Sequence, residues 1–192
     1  MLLNDTWFKE RGFTRNPFSS EPIGKSLEEQ KAFIDRDEAR EDIRKFVQER
    51  AGAVIIISKI GAGKSSLLNL SEVYAINAGK IPIRIDPRPY QEDVVPFFKG
   101  IIRQLLSKLD QTKIEDDLLS FLSFQKDGDK KDLPVVKSKL EKIFDKYPCI
   151  LIMDDLDKIL NFRKYIPFLK KVIDLLPKNL PIITTGDINQ IA

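Results

Sequence analysis

The chain has 192 residues, 42% hydrophobic and 32% charged, with a formal net charge of +3. That length suits one domain of roughly 100–200 residues with an apolar core of its own, and this hydrophobic content with so little net charge excludes a wholly disordered chain. With no histidine and one cysteine, the sequence excludes Ser-His-Asp hydrolysis, histidine–metal sites, Cys-cluster zinc sites and internal disulfides, leaving carboxylates, Lys, Ser/Thr, backbone N–H groups or a bound cation for any chemistry. The longest apolar runs, Ala53–Ile57 and Cys149–Met153, fall far short of the ~20 residues of a membrane span, so no membrane association is expected. The opening MLLNDTWFKE is polar within four residues and lacks a secretory leader pattern, so a cytoplasmic location is expected. The charge is too balanced to argue nucleic-acid binding by itself.

Residues 1–34 read as an irregular arm. Gly12, Pro17, Pro22 and Gly24 punctuate it, with Trp7, Phe8, Phe13, Phe18 and Phe33 between them as anchors onto the domain. The core runs over residues 35–192. Asp35 and Glu38 form a capping pattern before a helix with apolar positions Ala39, Ile43, Phe46 and Val47. Val54–Ile57 is continuously apolar, the pattern of a strand buried on both faces. Lys64–Asn77 is helical and stops at Ala78-Gly79. Ile81–Ile85 is a short strand that Pro82 places toward a sheet edge. Asp93–Leu109 is an amphipathic helix, Ile114–Phe124 a shorter one, and Gln125–Asp132 a polar loop. Pro134–Tyr147 is helical with its proline in the first turn. Ile150–Met153 is a second buried strand, and Leu160–Leu176 a helix that Pro167 should kink or split. Ile182–Thr185 is the last strand. Strands alternating with helices predict an α/β domain, a three-layer sandwich around a parallel sheet with right-handed crossovers.

Directly after the first strand comes Ser58-Lys59-Ile60-Gly61-Ala62-Gly63-Lys64-Ser65, then Ser66, and a helix follows. Gly61 and Gly63 allow the backbone to wrap an anion with successive N–H groups pointing inward. The helix N-terminus adds partial positive charge. The run resembles the Walker A loop, with Ser58 in place of its first glycine. The resemblance assigns Lys64 to the β- and γ-phosphates and Ser65 to Mg²⁺, and residues 58–66 to nucleotide binding. The bland alternative is a glycine-rich strand–helix turn.

The second buried strand runs into Met153-Asp154-Asp155-Leu156-Asp157. Four apolar residues and then an acid resemble Walker B, which assigns Asp154 to Mg²⁺ through its water shell. Asp155 stands where many ATPases carry a glutamate that polarises the attacking water. An aspartate is one methylene shorter, so slow hydrolysis, or binding without hydrolysis, is expected. Asp157 reads as a helix cap or loop acceptor. The last strand ends in Thr184-Thr185-Gly186-Asp187. A threonine hydroxyl there, Thr185 above all, either donates to phosphate or orients water, or is ordinary strand filler.

Together these segments resemble the additional-strand P-loop ATPases of the AAA+ class. Phe13-Thr14-Arg15-Asn16-Pro17-Phe18 and Phe33-Ile34-Asp35-Arg36-Asp37-Glu38 resemble the segments before the P-loop in AAA+ proteins of the replication-initiator and origin-recognition type. That resemblance implies an arm packed near the nucleotide, with Pro17 and Phe18 on the adenine. It implies strand order 2-3-4-1, and an ATP- and Mg²⁺-dependent switch, an ATPase, in DNA replication or a related DNA transaction. DNA would be reached through a further domain, a partner or a basic surface, and protomers of this chain or another AAA+ protein would be neighbours. The runner-up is the STAND signalling and defence ATPases, which often carry the Asp-Asp pair and an Ile-Thr-Thr-Arg strand; here Gly186 replaces the arginine. A non-hydrolysing nucleotide-binding module is the third reading. AAA+ proteins continue to a fifth strand and a helical lid, so a chain stopping at Ala192 reads as a fragment, a truncated product or a protomer covered by another chain.

Overall fold

The computed structural model describes residues 37–48, 52–58, 62–90, 93–109, 116–123, 133–154 and 162–187. Among these, six helices and four strands alternate as the periodicity requires. They are α1 (Asp37–Gln48), β1 (Ala53–Ser58), α2 (Lys64–Asn77), β2 (Ile81–Ile85), α3 (Val94–Lys108), α4 (Asp116–Ser123), α5 (Leu133–Lys146), β3 (Cys149–Met153), α6 (Phe162–Leu175) and β4 (Ile182–Asp187). The arm of residues 1–34, Asp35 and the polar loop Gln125–Asp132 lie outside the described residues.

Local chemistry sets the helix ends. Asp93 caps α3, its carboxylate accepting from the Val95 N–H at 3.0 Å. At the end of α2, Gly79 takes φ 70°. The Gly79 N–H then reaches the Ile76 carbonyl and the Lys80 N–H the Ala75 carbonyl, which also accepts from the Ala78 N–H. Pro167 does not split α6, which runs unbroken over Phe162–Leu175. Phe168, Val172 and Leu175 recur at helical spacing and are all buried, so tertiary packing outweighs one missing backbone donor.

All four strands are parallel, in the order β1-β4-β3-β2. This is the expected 2-3-4-1 order read from the other side. It places β2, with its proline, at one edge. It places β1 at the other, as that order implies, and corrects only the expectation that β1 is buried on both faces. β1 is not buried on both faces: its side chains alternate, with Ile55 58% and Ile57 47% exposed. A run of isoleucines has no period-two signature, so an edge strand and a central strand read alike.

Helices cover both faces of the sheet, the arrangement of a three-layer sandwich. One face carries α3, α4, α5 and α6 over Ile83, Ile85, Cys149, Leu151 and Met153, and forms the larger core. Phe97 lies at its centre with edge-to-face contacts to Tyr90, Phe98 and Phe168 at 5.5–5.7 Å. The other face carries α1 and α2 over Ile56, Ile150, Ile152 and Ile183. No helix among the described residues is long and apolar enough to cross a membrane.

Candidate functional site

Parallel strands deliver their carboxyl ends to one rim of the sheet, where α/β folds keep their ligand sites. On this rim the α2 face collects polar groups. The register pairs Arg84 with Ile152, and Ile152 with Ile183. Side chains alternate, so Asp154, two residues beyond Ile152, and Thr185, two beyond Ile183, fall on that same face.

The hydrogen bonds join them. The Thr185 hydroxyl donates to Asp154 Oδ1 at 2.8 Å. Arg84 Nη2 donates to Asp154 Oδ2 at 2.6 Å. Its other terminal nitrogen, Nη1, donates to Asn69 Oδ1 at 2.8 Å and approaches Glu72 Oε1 at 3.3 Å. Asn69 and Glu72 are one turn apart on α2, so both face the sheet. Thr185 is fully buried and Glu72 is 4% exposed. Asp154 and Arg84 keep 23% and 32% of their side chains accessible. The result is one guanidinium shared by two carboxylates and an amide, with one carboxylate oriented from its far side by a threonine.

The connection from β1 to α2 leaves at Ser58 and re-enters at Ala62, at this same end of the sheet. Gly63 is its last residue, at φ 82°, ψ 20°, a left-handed conformation that favours glycine. It opens a helix of 14 residues with no side-chain cap at the N-terminus. Lys64 Nζ donates to the Ser58 carbonyl at 2.9 Å, tying the start of α2 to the end of β1. Ser58 Oγ is buried and meets no hydrogen-bond partner among the described residues. Ala62 and Ser65 are half-buried, Ser66 buried. Lys59, Ile60, Gly61, Asp155, Pro17 and Phe18 lie outside the described residues.

The sequence reading singled out Ser58, Ala62, Gly63, Lys64, Ser65, Ser66, Asp154 and Thr185. They occupy the carboxyl ends of β1, β3 and β4 and the start of α2. Thr185 differs in detail from its expected part: its hydroxyl is spent on Asp154. Its neighbour Thr184 points to the opposite face, buried and with no hydroxyl partner among the described residues. Arg84, Asn69 and Glu72 were missed. Their signal was present as one cation inside the apolar strand IPIRI and a polar pair three apart inside LLNLSE.

Both Asp154 oxygens accept hydrogen bonds, from Thr185 and from Arg84, and Ser65 offers a hydroxyl at the start of α2. No group of three or more Asp, Glu, His or Cys side chains among the described residues could cage a metal ion. Magnesium seldom needs such a cage, since it commonly takes one or two carboxylates and completes its shell with water and substrate phosphate. No protein-family model matches this chain, and no curated protein matches it.

Proposed function

We propose that this chain is a Mg²⁺-dependent P-loop ATPase of the additional-strand type, acting as a nucleotide-controlled switch. The observation that carries the reading is the strand topology, which puts a glycine-opened helix N-terminus with Lys64 and an Asp154 oriented by Thr185 at the same end of a parallel sheet. The strand order supports it, with β4 inserted between the strand before the loop and the strand before the acid.

In this reading, N–H groups of the loop and of the first turn of α2 bind the phosphates. Lys64 leaves the Ser58 carbonyl for the β- and γ-phosphate oxygens, where its charge grows in value as the reaction proceeds. Ser65 and Asp154 would hold Mg²⁺, which would supply charge neutralisation at the phosphates. Thr185 fixes the plane of the Asp154 carboxylate. Asp155 polarises the water that attacks the γ-phosphorus as the bond to the ADP oxygen breaks. The shorter aspartate makes the turnover slow. The arm resemblance supports adenine contact by Pro17 and Phe18 and a role in DNA replication or a related DNA transaction.

The test is Mg-ATP turnover by the whole chain, with and without duplex DNA, beside Lys64→Ala. Turnover is expected to fall by about a hundredfold or more in Lys64→Ala, the loss typical of a charge aimed at the transition state. Stimulation by DNA favours the replication reading. Tight ADP retention with no DNA effect favours a STAND-type signalling switch. A folded wild-type chain that neither binds nor turns over nucleotide overturns the proposal.

A further inference from the structure

Arg84 is the fourth residue of a five-residue strand whose other side chains are apolar. A cation in that position is costly unless acceptors surround it. Three do, and they come from two elements: Asn69 and Glu72 from α2, and Asp154 from the end of β3. The two carboxylates and one guanidinium leave one formal negative charge. Asp154 Oδ1 is committed to Thr185, so the guanidinium faces the other oxygen of the same carboxylate.

We propose that Arg84 is a positioning residue whose guanidinium competes with a divalent ion for Asp154 and yields that carboxylate when nucleotide and the ion load. The inference rests on the nucleotide-site reading above and adds to it a competitor built into the fold. A divalent ion brought to Asp154 meets the positive charge of Arg84 in a half-buried setting, where like charges repel strongly. Arg84 need not move far to give way. Asn69 and Glu72 stay beside Nη1, so two of its three acceptors persist after Nη2 releases Asp154. Both acceptors belong to α2, the helix that opens at the glycine loop. Loading at the loop and release at Asp154 therefore act on one rigid element. The consequence is a raised magnesium threshold, with nucleotide entering readily and the divalent ion completing the site only when its concentration overcomes the arginine.

The test measures binding of a fluorescent ADP analogue to the whole chain, in EDTA and then at rising free Mg²⁺. Wild type, Arg84→Gln, Arg84→Lys and Lys64→Ala are compared. Arg84→Gln is expected to match wild type within about twofold in EDTA and to reach its Mg²⁺ midpoint at about tenfold lower free Mg²⁺. Arg84→Lys, a point charge without the planar fork, is expected between the two. A midpoint in Arg84→Gln equal to or above that of wild type overturns the inference. If Arg84→Gln does not fold, Arg84→Gln combined with Glu72→Gln removes the unpaired buried acid and must shift the midpoint the same way. If that pair also fails to fold, an Arg84→Lys midpoint at or above wild type overturns it. Failure of wild type to bind, or binding insensitive to Lys64→Ala, overturns the nucleotide reading itself.

Discussion

The two faces of this sheet are built for different ends. The face under α3–α6 is a continuous apolar core around Phe97, Phe98, Ile101, Ile102, Leu105 and Phe121, all fully buried. The face under α1 and α2 has a smaller core, and at its rim apolar packing gives way to Arg84, Asp154, Glu72, Asn69 and Thr185. A fully buried large apolar side chain contributes roughly 1.5–3 kcal/mol, so the first face carries most of the stability. The second spends part of its area on polar groups that contribute little net stability. The teaching is that one sheet separates the work: one side holds the fold, and the other is free to position charge.

Substitutions that strike one face at a time break or sharpen that contrast. Phe97→Ala removes three ring contacts at the centre of the larger core. It is expected to cost about 3–5 kcal/mol, read as a shift in the urea midpoint. A cost below that of Leu68→Ala on the other face would reverse the assignment of roles. The adjacent threonines of β4 give a finer comparison, because they point to opposite faces. Thr185→Val loses a hydrogen bond to a carboxylate and is expected to cost about 1–2 kcal/mol. Thr184→Val removes a buried hydroxyl without a partner among the described residues and is expected to be neutral or to gain about 1 kcal/mol. Equal effects of the two valines would erase the distinction between the faces at the rim.

The smallest effect is expected where an arginine–aspartate pair leaves the sheet for solvent. Arg88 hydrogen-bonds Asp86 through its side chain and backbone, and these bonds hold the Asp86 carboxyl below its usual value. A depressed carboxylate stabilises the fold above its unfolded pKa, and that contribution is lost as pH falls through the folded pKa. Both side chains are nearly half exposed, so the loss on acidification is expected to stay below about 1 kcal/mol. Asp86→Asn should remove only that part of the acid dependence, seen by thermal melts from neutral to acidic pH.

Much of this architecture was legible before any coordinates. Helix and strand limits followed from periodicity, the end of α2 from Ala78-Gly79, and the edge place of β2 from Pro82. The strand order came with the family resemblance and the rim residues with its two motifs. What escaped has physical causes. The continuous apolar run of β1 cannot announce which of its faces is covered. Pro167 breaks a rule that buried packing overrides. Arg84 meets its partners at sequence separations of 12, 15 and 70 residues. Within its own segment it was one charge on a short strand, and only the sheet register brings it to Asp154.

The edge at β1 has a practical consequence. Beyond its pairing with β4, no described strand takes up its outer row of backbone donors and acceptors, and Ile55 and Ile57 stand open on one side. Such a strand is a template for β-pairing between molecules. The expected consequence is association that rises with concentration, measured by light scattering. A lysine in place of Ile55 is the simplest way to keep it in solution without touching either core.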